Sequence, residues 1–335
     1  MSMTPPILGR RLLLAAAAIG ALPTRIAGAA EGFPQKPIRV LIPHPPGGIT
    51  DVAARLAGGF VQGRLGQPCV MENRTGAAGS IAANVVARAA PDGHTLLMGT
   101  GATHGTTPST FTGLPYDPVT DFEPIVMVAS SPLVVVVRSD SPARDFPALL
   151  NLARSRQPPL TFGSTGTGGA VHLAVEMFKV ASGVPLTHVP YRGSAPALND
   201  LLAGQIDFMF DNVSSAMPLV GDGKLRALAV TSEGPSDLAP GLPAVSASGV
   251  PGYTASSWVA LFAPRGTPVP VLTAINGAVN AGLRSEDGRA AFRRIGLEPG
   301  GGTPEALRAH VNEELTRWAT AVKAAGLTPA RLGSE

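Results

Sequence analysis

Two glycine-rich loops, each leading into a helix, contain the residues of this sequence best suited to bind an anion. The first loop, residues 43–48 (PHPPGG), follows the apolar run Ile38–Ile42 and precedes Thr50 and Asp51, which open an amphipathic pattern. The same design recurs at residues 160–178, where LTF leads into GSTGTGG and then AVHLAVEMF. The first turn of a helix carries unpaired N–H groups and a partial positive charge, which a glycine-rich loop leaves open to an anion. Two such units, far apart in sequence, predict two lobes that hold one anionic ligand between them.

The first loop supplies five candidate ligand contacts. Its two glycines allow a ligand to approach the backbone, although they would also suit a tight turn alone. The hydroxyl of Thr50, which follows the glycines, is an equally good helix N-cap. In that role its hydrogen bond is made to the helix backbone and not to a ligand. Asp51 is expected to complement the helix dipole rather than bind, because a carboxylate would repel an anion. The five candidates are His44, as a wall of the cleft rather than a catalyst, with Pro46, Gly47, Gly48 and Thr50.

The second loop offers hydroxyl groups. At least one of Ser164, Thr165 and Thr167, which flank Gly166, is expected to contact the ligand. The alternative is that these hydroxyls cap the helix that follows them. His172, in the first turn of that helix, is expected to pack or cap rather than bind.

Three further candidates lie outside these two loops. Gly79 and Ser80 end a third glycine-rich segment, residues 74–79, and Ser80 is also a candidate cap for a helix over residues 81–90. Asp211 and Asn212 follow the carboxyl end of a predicted strand, where ligands gather in parallel sheets. Asp211 would accept a ligand ammonium or hydroxyl if it faces the cleft, and the alternative is a turn-forming Asp-Asn pair.

The sequence favours a binding protein over an enzyme. It has no Gly-x-Ser-x-Gly elbow at a strand–helix turn, and the loop at residues 163–169 lacks the lysine of a phosphate-binding loop. Ser164 and His172 have no partner acid arranged as in a catalytic triad. The single cysteine, Cys69, is expected in a buried strand, and the six histidines show no metal-ligand spacing. We therefore predict no catalytic residue, no cofactor and no bound metal; an enzyme acting on a carboxylic acid is the remote alternative.

The N-terminus has the order of residues typical of a secretory signal peptide. Arg10 and Arg11 precede an apolar run, residues 12–22, and Ala-Gly-Ala at residues 27–29 is a small-x-small cleavage site. The run is shorter than the roughly 20 residues that span a bilayer, although a short membrane anchor is the alternative. The paired arginines leave both Sec and twin-arginine export open. We predict a periplasmic protein that is cleaved near Ala29.

Removing this leader changes the charge of the chain. The full sequence has 26 Lys and Arg against 23 Asp and Glu, and three of the arginines but none of the acids lie in residues 1–29. The mature chain therefore has 23 of each sign and a formal charge of zero. No basic field remains to attract nucleic acid or an anionic membrane. An anion must be recognised locally, by backbone N–H groups and hydroxyls.

Strands and helices alternate from residue 37 onward, which predicts an α/β fold of two lobes. Each lobe is expected to contain a mainly parallel sheet flanked by helices, with the ligand in the cleft between the lobes. The β-branched run at residues 132–138 (PLVVVVR) is typical of a strand buried on both faces, and we place the crossing between lobes near it. The predicted domains are a signal peptide, residues 1–29; lobe one, residues 30–131 and 256–335; and lobe two, residues 132–255.

Motifs along nearly the whole mature chain resemble those of Bug-type extracytoplasmic solute receptors, the substrate-binding components of tripartite tricarboxylate transporters. Their order and spacing carry the resemblance, rather than any single motif. They are PIRV at 37–40, PPGG at 45–48 with Thr50 and Asp51, ENR at 72–74 with GAAGS at 76–80, PDG at 91–93, LPYDP at 114–118, DF at 121–122, GS at 163–164 with Gly166 and Gly168, HL at 172–173, HVPY at 188–191 with Gly193, GKLRALAVTS at 223–232, and AP at 263–264 with GTP at 266–268.

The resemblance implies a type II-like periplasmic binding-protein fold that encloses its ligand between two lobes. Ligands of the family are small carboxylates, including di- and tricarboxylates, amino acids and aromatic acids, held by both loop–helix units with the help of ordered water. The implied partners are this ligand and the membrane permease subunits of a tripartite transporter. We expect a monomer that binds one carboxylate without turnover. A ligand-loaded sensor that docks on a membrane signalling kinase is the alternative, since it needs the same clamshell.

Three residues depart from the family pattern. His44 stands where an aromatic residue such as Phe or Tyr is usual, Gly169 where Ser is common, and His94 where Tyr is common. The glycine removes one candidate hydroxyl from the second loop. These departures bear on the identity of the ligand rather than on the fold.

Overall fold

A computed structural model of the chain describes Met1 and residues 32–167 and 169–332. The predicted signal peptide, apart from Met1, lies outside these residues. Among the helices of this part of the chain, none has the length and apolarity needed to span a bilayer.

The described residues form twelve strands. β-Branched and aromatic residues recur in several of them, as in IRVLI at residues 38–42, which suits a buried pleated surface. The strands are β1 (Ile38–Ile42), β2 (Cys69–Asn73), β3 (Thr95–Thr100), β4 (Phe111–Thr112), β5 (Phe122–Arg138), β6 (Leu160–Ser164), β7 (Leu186–Pro190), β8 (Phe208–Asn212), β9 (Leu225–Val230), β10 (Ser256–Pro264), β11 (Glu298–Gly301) and β12 (Ala330–Arg331).

Ten α-helices alternate with these strands, together with a 3₁₀ turn at Ala77–Gly79 and a π-helical turn at Ala102–Thr106. Glycine in the left-handed conformation ends several of them; Gly66, with a φ of 79°, closes the first. The helices are α1 (Ile49–Leu65), α2 (Ser80–Ala87), α3 (Thr107–Thr110), α4 (Phe146–Ser155), α5 (Ala170–Ser182), α6 (Ser194–Ala203), α7 (Val213–Gly221), α8 (Val269–Arg284), α9 (Glu286–Arg294) and α10 (Pro304–Ala324).

The sheet is mixed, which refines the prediction of mainly parallel sheets. In the first half, β2, β1 and β3 are parallel neighbours, and β10 pairs antiparallel with both β3 and β5. In the second half, β6 is parallel to β7 and β8, while β5 pairs antiparallel with β8 and β9. The parallel pairs β1/β2 and β6/β7 are each joined by one helix, α1 and α5, because parallel neighbours need a crossover connection. The α/β prediction is confirmed.

One long strand joins the two halves. β5 pairs with β10 from Phe122 to Pro132 and with β8 from Leu133 onward. Its apolar residues are buried along almost the whole length, as the run at residues 132–138 indicates. This change of partners supports our proposal that the lobes divide at residues 131/132 and 255/256.

The last helix packs on both halves. Leu307 and Val311, near its start, belong to a core cluster with Leu41 and Phe262 of the first half. Trp318, Ala321 and Val322, near its end, join the core that surrounds β6 and α5. Leu307, Val311, Trp318 and Val322 form the buried stripe of this helix, and Thr303 caps it by accepting a hydrogen bond from the N–H of Ala306. The start of α10 therefore packs on the half that contains β1 and β10, whereas its end packs on the other half, and the assignment of residues 256–335 to lobe one stays a proposal.

The predicted helix cap at Ser80 is wrong. Ser80 is the first residue of α2, and the N-cap position is Gly79, which has a positive φ. Ser194 is likewise the first residue of α6, after Gly193 at the N-cap. The hydroxyl of Ser194 donates instead to Asp211. Helix α2 also ends at Ala87, three residues before the predicted end.

Candidate ligand-binding site

A cavity of about 420 Å³ lies where the N-terminal ends of α1 and α5 meet. The first loop–helix unit contributes His44, Ile49 and Thr50 to its wall, and the second contributes Gly169 and Ala170. The two units that the sequence places some 120 residues apart are therefore brought to one cavity. The wall is completed by Ala78, Thr100, Gly101, Ala102, Thr106, Thr107, Thr110, Phe111, Ser256, Ser257, Trp258, Val259, Leu297 and Trp318.

Both helices reach the cavity without a side-chain cap. The N-cap residues, Gly48 and Gly169, have nearly the same extended backbone, with φ −73° and ψ 166° for the first and φ −72° and ψ 162° for the second. Neither makes a side-chain cap hydrogen bond, because glycine has no side chain to offer. The first-turn N–H groups of a helix have no intrahelical acceptor. Two sets of such donors therefore adjoin one cavity, an arrangement suited to a carboxylate.

The first loop is held from behind by Asp51. Its carboxylate accepts hydrogen bonds from the N–H of Gly47 (3.0 Å), from Nδ2 of Asn73 (3.0 Å) and from two nitrogens of Arg55 (2.9 and 3.0 Å). The hydrogen bonds from Arg55 are the main cause that lowers the Asp51 pKa to about 2. The acid is buried and does not line the cavity. Asp51 thus braces the loop in addition to its expected place in the first turn.

His44 and Thr50 face each other on the cavity wall. His44 Nδ1 lies 2.8 Å from Thr50 Oγ1, and burial lowers the pKa of His44, which favours the neutral ring. Thr50 lies inside the helix, so the alternative that it is the N-cap is wrong. Asn73 also donates to the backbone oxygen of His44 at 2.9 Å, which fixes the start of the loop.

The second loop is braced by a pair of stacked histidines. Ser164 Oγ lies 2.6 Å from His188 Nε2 and accepts a hydrogen bond from the N–H of Gly166 at 3.3 Å. The His188 ring stacks on His172 with centroids 3.8 Å apart, and His172 Nε2 lies 3.6 Å from the Glu176 carboxylate. Burial is the main cause that lowers the His188 pKa to about 4. Ser164 is fully buried and lies off the cavity wall, and His172 packs in the interior.

Of the twelve candidates from the sequence, His44 and Thr50 line the cavity. Pro46, Gly47 and Gly48 are exposed in the adjoining loop, and Thr165 and Gly166 are partly exposed in the second loop. Thr167 lines a neighbouring cavity of about 250 Å³ with residues 327–330. Ligand contact by these residues stays a prediction.

The remaining candidates, Gly79, Ser80 and Asp211, do not line the cavity. A side chain at Gly79 would collide with Thr103 and Pro43, so this glycine permits close packing of the third loop, whose Ala78 reaches the wall. Ser80 is buried. The Asp211 carboxylate is fully buried and accepts hydrogen bonds from Ser194 (2.6 Å) and Ser215 (2.7 Å), and burial raises its pKa. Contact between Asp211 and a ligand ammonium or hydroxyl also stays a prediction. In this structure the carboxylate is enclosed in the interior and its hydrogen bonds go to serine side chains.

Sequence reasoning missed the segment that follows β3. It runs GATHGTTPST over residues 101–110, forms the π-helical turn and α3, and places Thr106, Thr107 and Thr110 on the cavity wall. A Gly- and Thr-rich segment after the carboxyl end of a parallel strand is a position where ligands gather, so the signal was present. π-Helical turns are also frequent at functional sites.

Among the described residues that line the cavity, none is Lys, Arg, Asp or Glu. Its polar groups are hydroxyls, the ring of His44 and backbone N–H groups. This composition agrees with the expectation that an anion is recognised locally, by dipoles and hydrogen bonds rather than by a salt bridge. Within the described residues, no group of His, Cys, Asp and Glu is arranged to hold a metal ion.

The chain is similar in sequence and in fold to known proteins. Residues 52–327 match the family described as "Tripartite tricarboxylate transporter family receptor". BugT of Bordetella pertussis is 35% identical over 298 residues, which cover 89% of this chain and 91% of BugT.

Two solved structures from Rhodopseudomonas palustris are similar along their whole length. One, determined with adipate, is 39% identical with a TM-score of 0.70 and covers 89% of this chain and 99% of its own. The other, MatC with bound malate, is 34% identical with a TM-score of 0.66 and covers 87% of this chain and 100% of its own. The chain therefore belongs to the receptors of the tripartite tricarboxylate transporter family, the Bug-type periplasmic solute-binding proteins.

Proposed function

We propose that this chain captures one small carboxylate in the cavity and delivers it to the permease subunits of a tripartite transporter. The observation that carries the proposal is that two uncapped helix N-termini adjoin one cavity, whose described lining residues include no Lys, Arg, Asp or Glu. The related structures solved with adipate and malate support it, since both of those ligands are carboxylates.

Calorimetry on the mature protein, with a panel of mono-, di- and tricarboxylates and amino acids, tests the proposal. We expect one ligand per chain, and mass analysis of the recovered ligand should find it unchanged. Chemical conversion of a bound acid would instead establish the enzyme alternative. Native mass spectrometry of freshly purified protein would identify an acid that is retained from the cell.

A sensor that docks on a membrane signalling kinase uses the same clamshell and is the second candidate. The transport and sensor functions are distinguished by offering the ligand-loaded protein to permease subunits and to the kinase, each reconstituted in vesicles. Capture by the permease supports transport, and capture by the kinase supports signalling. We also propose export by a signal peptide that is cleaved near Ala29, giving a periplasmic monomer without cofactor or metal. The intact mass of the periplasmic protein and its mass by light scattering test this point.

A further inference from the structure

His44 is the only titratable side chain among the described residues that line the cavity. Its ring is partly exposed, and its Nδ1 lies 2.8 Å from the Thr50 hydroxyl. The other ring nitrogen, Nε2, has no hydrogen-bond partner among the described residues and is not enclosed. Asn73 donates to the backbone oxygen of His44 at 2.9 Å, which fixes the position of the residue. The ring therefore has one nitrogen left for a ligand.

The contact with Thr50 is compatible with both charge states of the ring. A hydroxyl can accept a hydrogen bond from Nδ1–H or donate one to an unprotonated Nδ1. Burial lowers the pKa of His44, so the ring is neutral near pH 7 in this structure. Protonation would make Nε2 a charged donor without breaking the contact with Thr50.

The charged groups around the first loop are already paired with one another. On α1, Asp51 pairs with Arg55 at 2.9 Å. On β2, Glu72 pairs with Arg39 and Arg74 at 2.7 and 2.5 Å. From β3, α3, α5, β10 and α10, the described lining residues include no Asp, Glu, Lys, Arg or second His. A charged ligand would therefore meet His44 as the one side chain of the described lining that can become cationic.

The two helix termini balance about one negative charge. Each helix N-terminus carries about half a positive charge, so α1 and α5 together offer about one. A monocarboxylate is matched by the termini alone. A second carboxylate has no ionised partner in the described lining unless His44 is protonated. An opposite charge within about 4–6 Å favours the charged form of a titratable group, so a second carboxylate beside the ring would draw a proton onto it.

We propose that His44 is a specificity-determining residue that takes up one proton when the ligand brings a second carboxylate. A dicarboxylate then binds together with a proton, and a monocarboxylate binds without one. Phe or Tyr, which are usual at this position in the family, cannot supply a positive charge. The inference rests on the proposed function and adds to it the residue that responds to the charge of the ligand.

This role fixes the sign of the pH dependence. The pKa of His44 is below its ordinary value and rises when a second anion lies beside the ring. Binding takes up a proton between these two pKa values, so the affinity for a dicarboxylate increases as the pH falls. His188 stays neutral above about pH 6, because its pKa is lowered to about 4.

Calorimetry on the mature protein tests the role with two matched pairs of acids, adipate against hexanoate and succinate against butyrate. Each titration is run in PIPES and in imidazole buffer, whose heats of ionisation differ, so the difference in heat counts the protons taken up. At about pH 6.5 we expect uptake of more than about half a proton with the dicarboxylates and close to none with the monocarboxylates. From about pH 8.5 to 6.5 the affinity for a dicarboxylate should rise about four- to twenty-five-fold, and that for its monocarboxylate partner should change less than about two-fold.

His44→Phe tests the residue, with His94→Phe as the matched control, because His94 is a partly exposed histidine that does not line the cavity. We expect His44→Phe to bind dicarboxylates without proton uptake and about four- to twenty-five-fold more weakly at about pH 6.5, with monocarboxylate binding nearly unchanged. The control should take up the proton as the wild type does. His44→Gln is a second, polar replacement with the same expected loss of proton uptake, which decides if His44→Phe does not fold.

Three results would overturn this inference while the proposed function stands. They are equal proton uptake by both members of a pair, binding confined to acids with a single carboxylate, and proton uptake that survives the replacement of His44. If neither these four acids nor the wider panel of carboxylates binds, the proposed function fails together with the inference.

Discussion

The carboxylate of Asp51 accepts a hydrogen bond from the backbone N–H of Gly47 at 3.0 Å, on the side of the loop away from the cavity. The same carboxylate is neutralised by Arg55. An acid in the first turn of a binding helix is therefore compatible with an anionic ligand, because its charge is satisfied internally and its geometry fixes the loop.

Asp51→Asn should destabilise the protein and weaken ligand binding together. The substitution removes the ion pair with Arg55 and two acceptor positions in a buried site, so we expect a loss of about 1.5–3 kcal/mol in the free energy of unfolding. Chemical denaturation and calorimetry measure the two effects. Glu72→Gln is the control, since its ion pairs with Arg39 and Arg74 are largely exposed and worth at most about 1 kcal/mol. Equal losses in both variants would show that Asp51 has no special role.

The lowered pKa of Asp51 also predicts part of the acid unfolding. The group titrates near 4 when unfolded and at about 2 when folded, so the unfolded state binds more protons between these values. Its stabilisation is therefore complete above pH ~4 and is lost as the pH falls towards 2. Asp51→Asn should unfold with a shallower pH dependence in this window.

Much of this architecture follows from local sequence, but the wall of the cavity does not. The two loop–helix units were predictable because glycines, flanking strands and helical periodicity are neighbours in the chain. Trp318 could be placed in the buried stripe of α10 but not on a ligand wall, because Trp258 and Glu314 meet it only through the packing of β10 on α10. Ser164 was expected at the ligand as an exposed loop hydroxyl, and its partner His188 comes from the neighbouring strand.

Gly47 and Gly48 should respond differently to substitution. Gly47 has a φ of 80°, which an L side chain adopts at a cost, whereas Gly48 has an extended backbone with Pro45 O 3.5 Å from an added Cβ. We expect Gly47→Ala to lower the free energy of unfolding by about 1 kcal/mol and Gly48→Val to leave it nearly unchanged. Gly48→Val should nevertheless reduce ligand affinity by blocking the approach to the helix terminus. Unaltered binding by Gly48→Val, in calorimetry, would mean that the ligand does not approach this position.

The Ser164–His188 contact predicts pH-dependent binding. The Ser164 hydroxyl lies 2.6 Å from His188 Nε2 and 3.2 Å from the backbone oxygen of Gly166, so its proton has two acceptors within reach. A protonated His188 ring cannot accept this proton, which leaves only the longer hydrogen bond to Gly166. His188 titrates near 6.5 when unfolded and about 4 when folded, beside His172, Glu176 and Lys179. The unfolded state therefore binds more protons in this window, and stability falls as the pH drops from 6.5 to 4. His188→Gln, which offers an acceptor that does not titrate, should match wild-type affinity at pH 8 and lose less of it at pH 4.5. If the affinities of the two proteins fall equally as the pH is lowered, protonation of His188 does not affect binding through Ser164.

Backbone N–H groups of α5 should drive closure of the two halves on the ligand. Each helix terminus belongs to a different half of the molecule, so only the closed state offers both to one carboxylate, and binding shifts the population towards it. Small-angle scattering should show a smaller radius of gyration when the cognate acid is added. Ala170→Pro removes one first-turn N–H while keeping the helix, since proline suits this position and Gly169 has the extended backbone that precedes it.

One lost hydrogen bond to a carboxylate corresponds to about 1.5–3 kcal/mol, or roughly a ten- to hundred-fold loss of affinity, and less where water replaces it. Ala170→Pro should show this loss and close less fully at saturating ligand, because α1 alone would hold the carboxylate. Glu286→Pro makes the same change at the first residue of α9, outside the cavity lining, and should bind and close as the wild type does. Full affinity and closure in Ala170→Pro would transfer the role to the loop hydroxyls of Thr165 and Thr167, whose double replacement by alanine should then abolish closure.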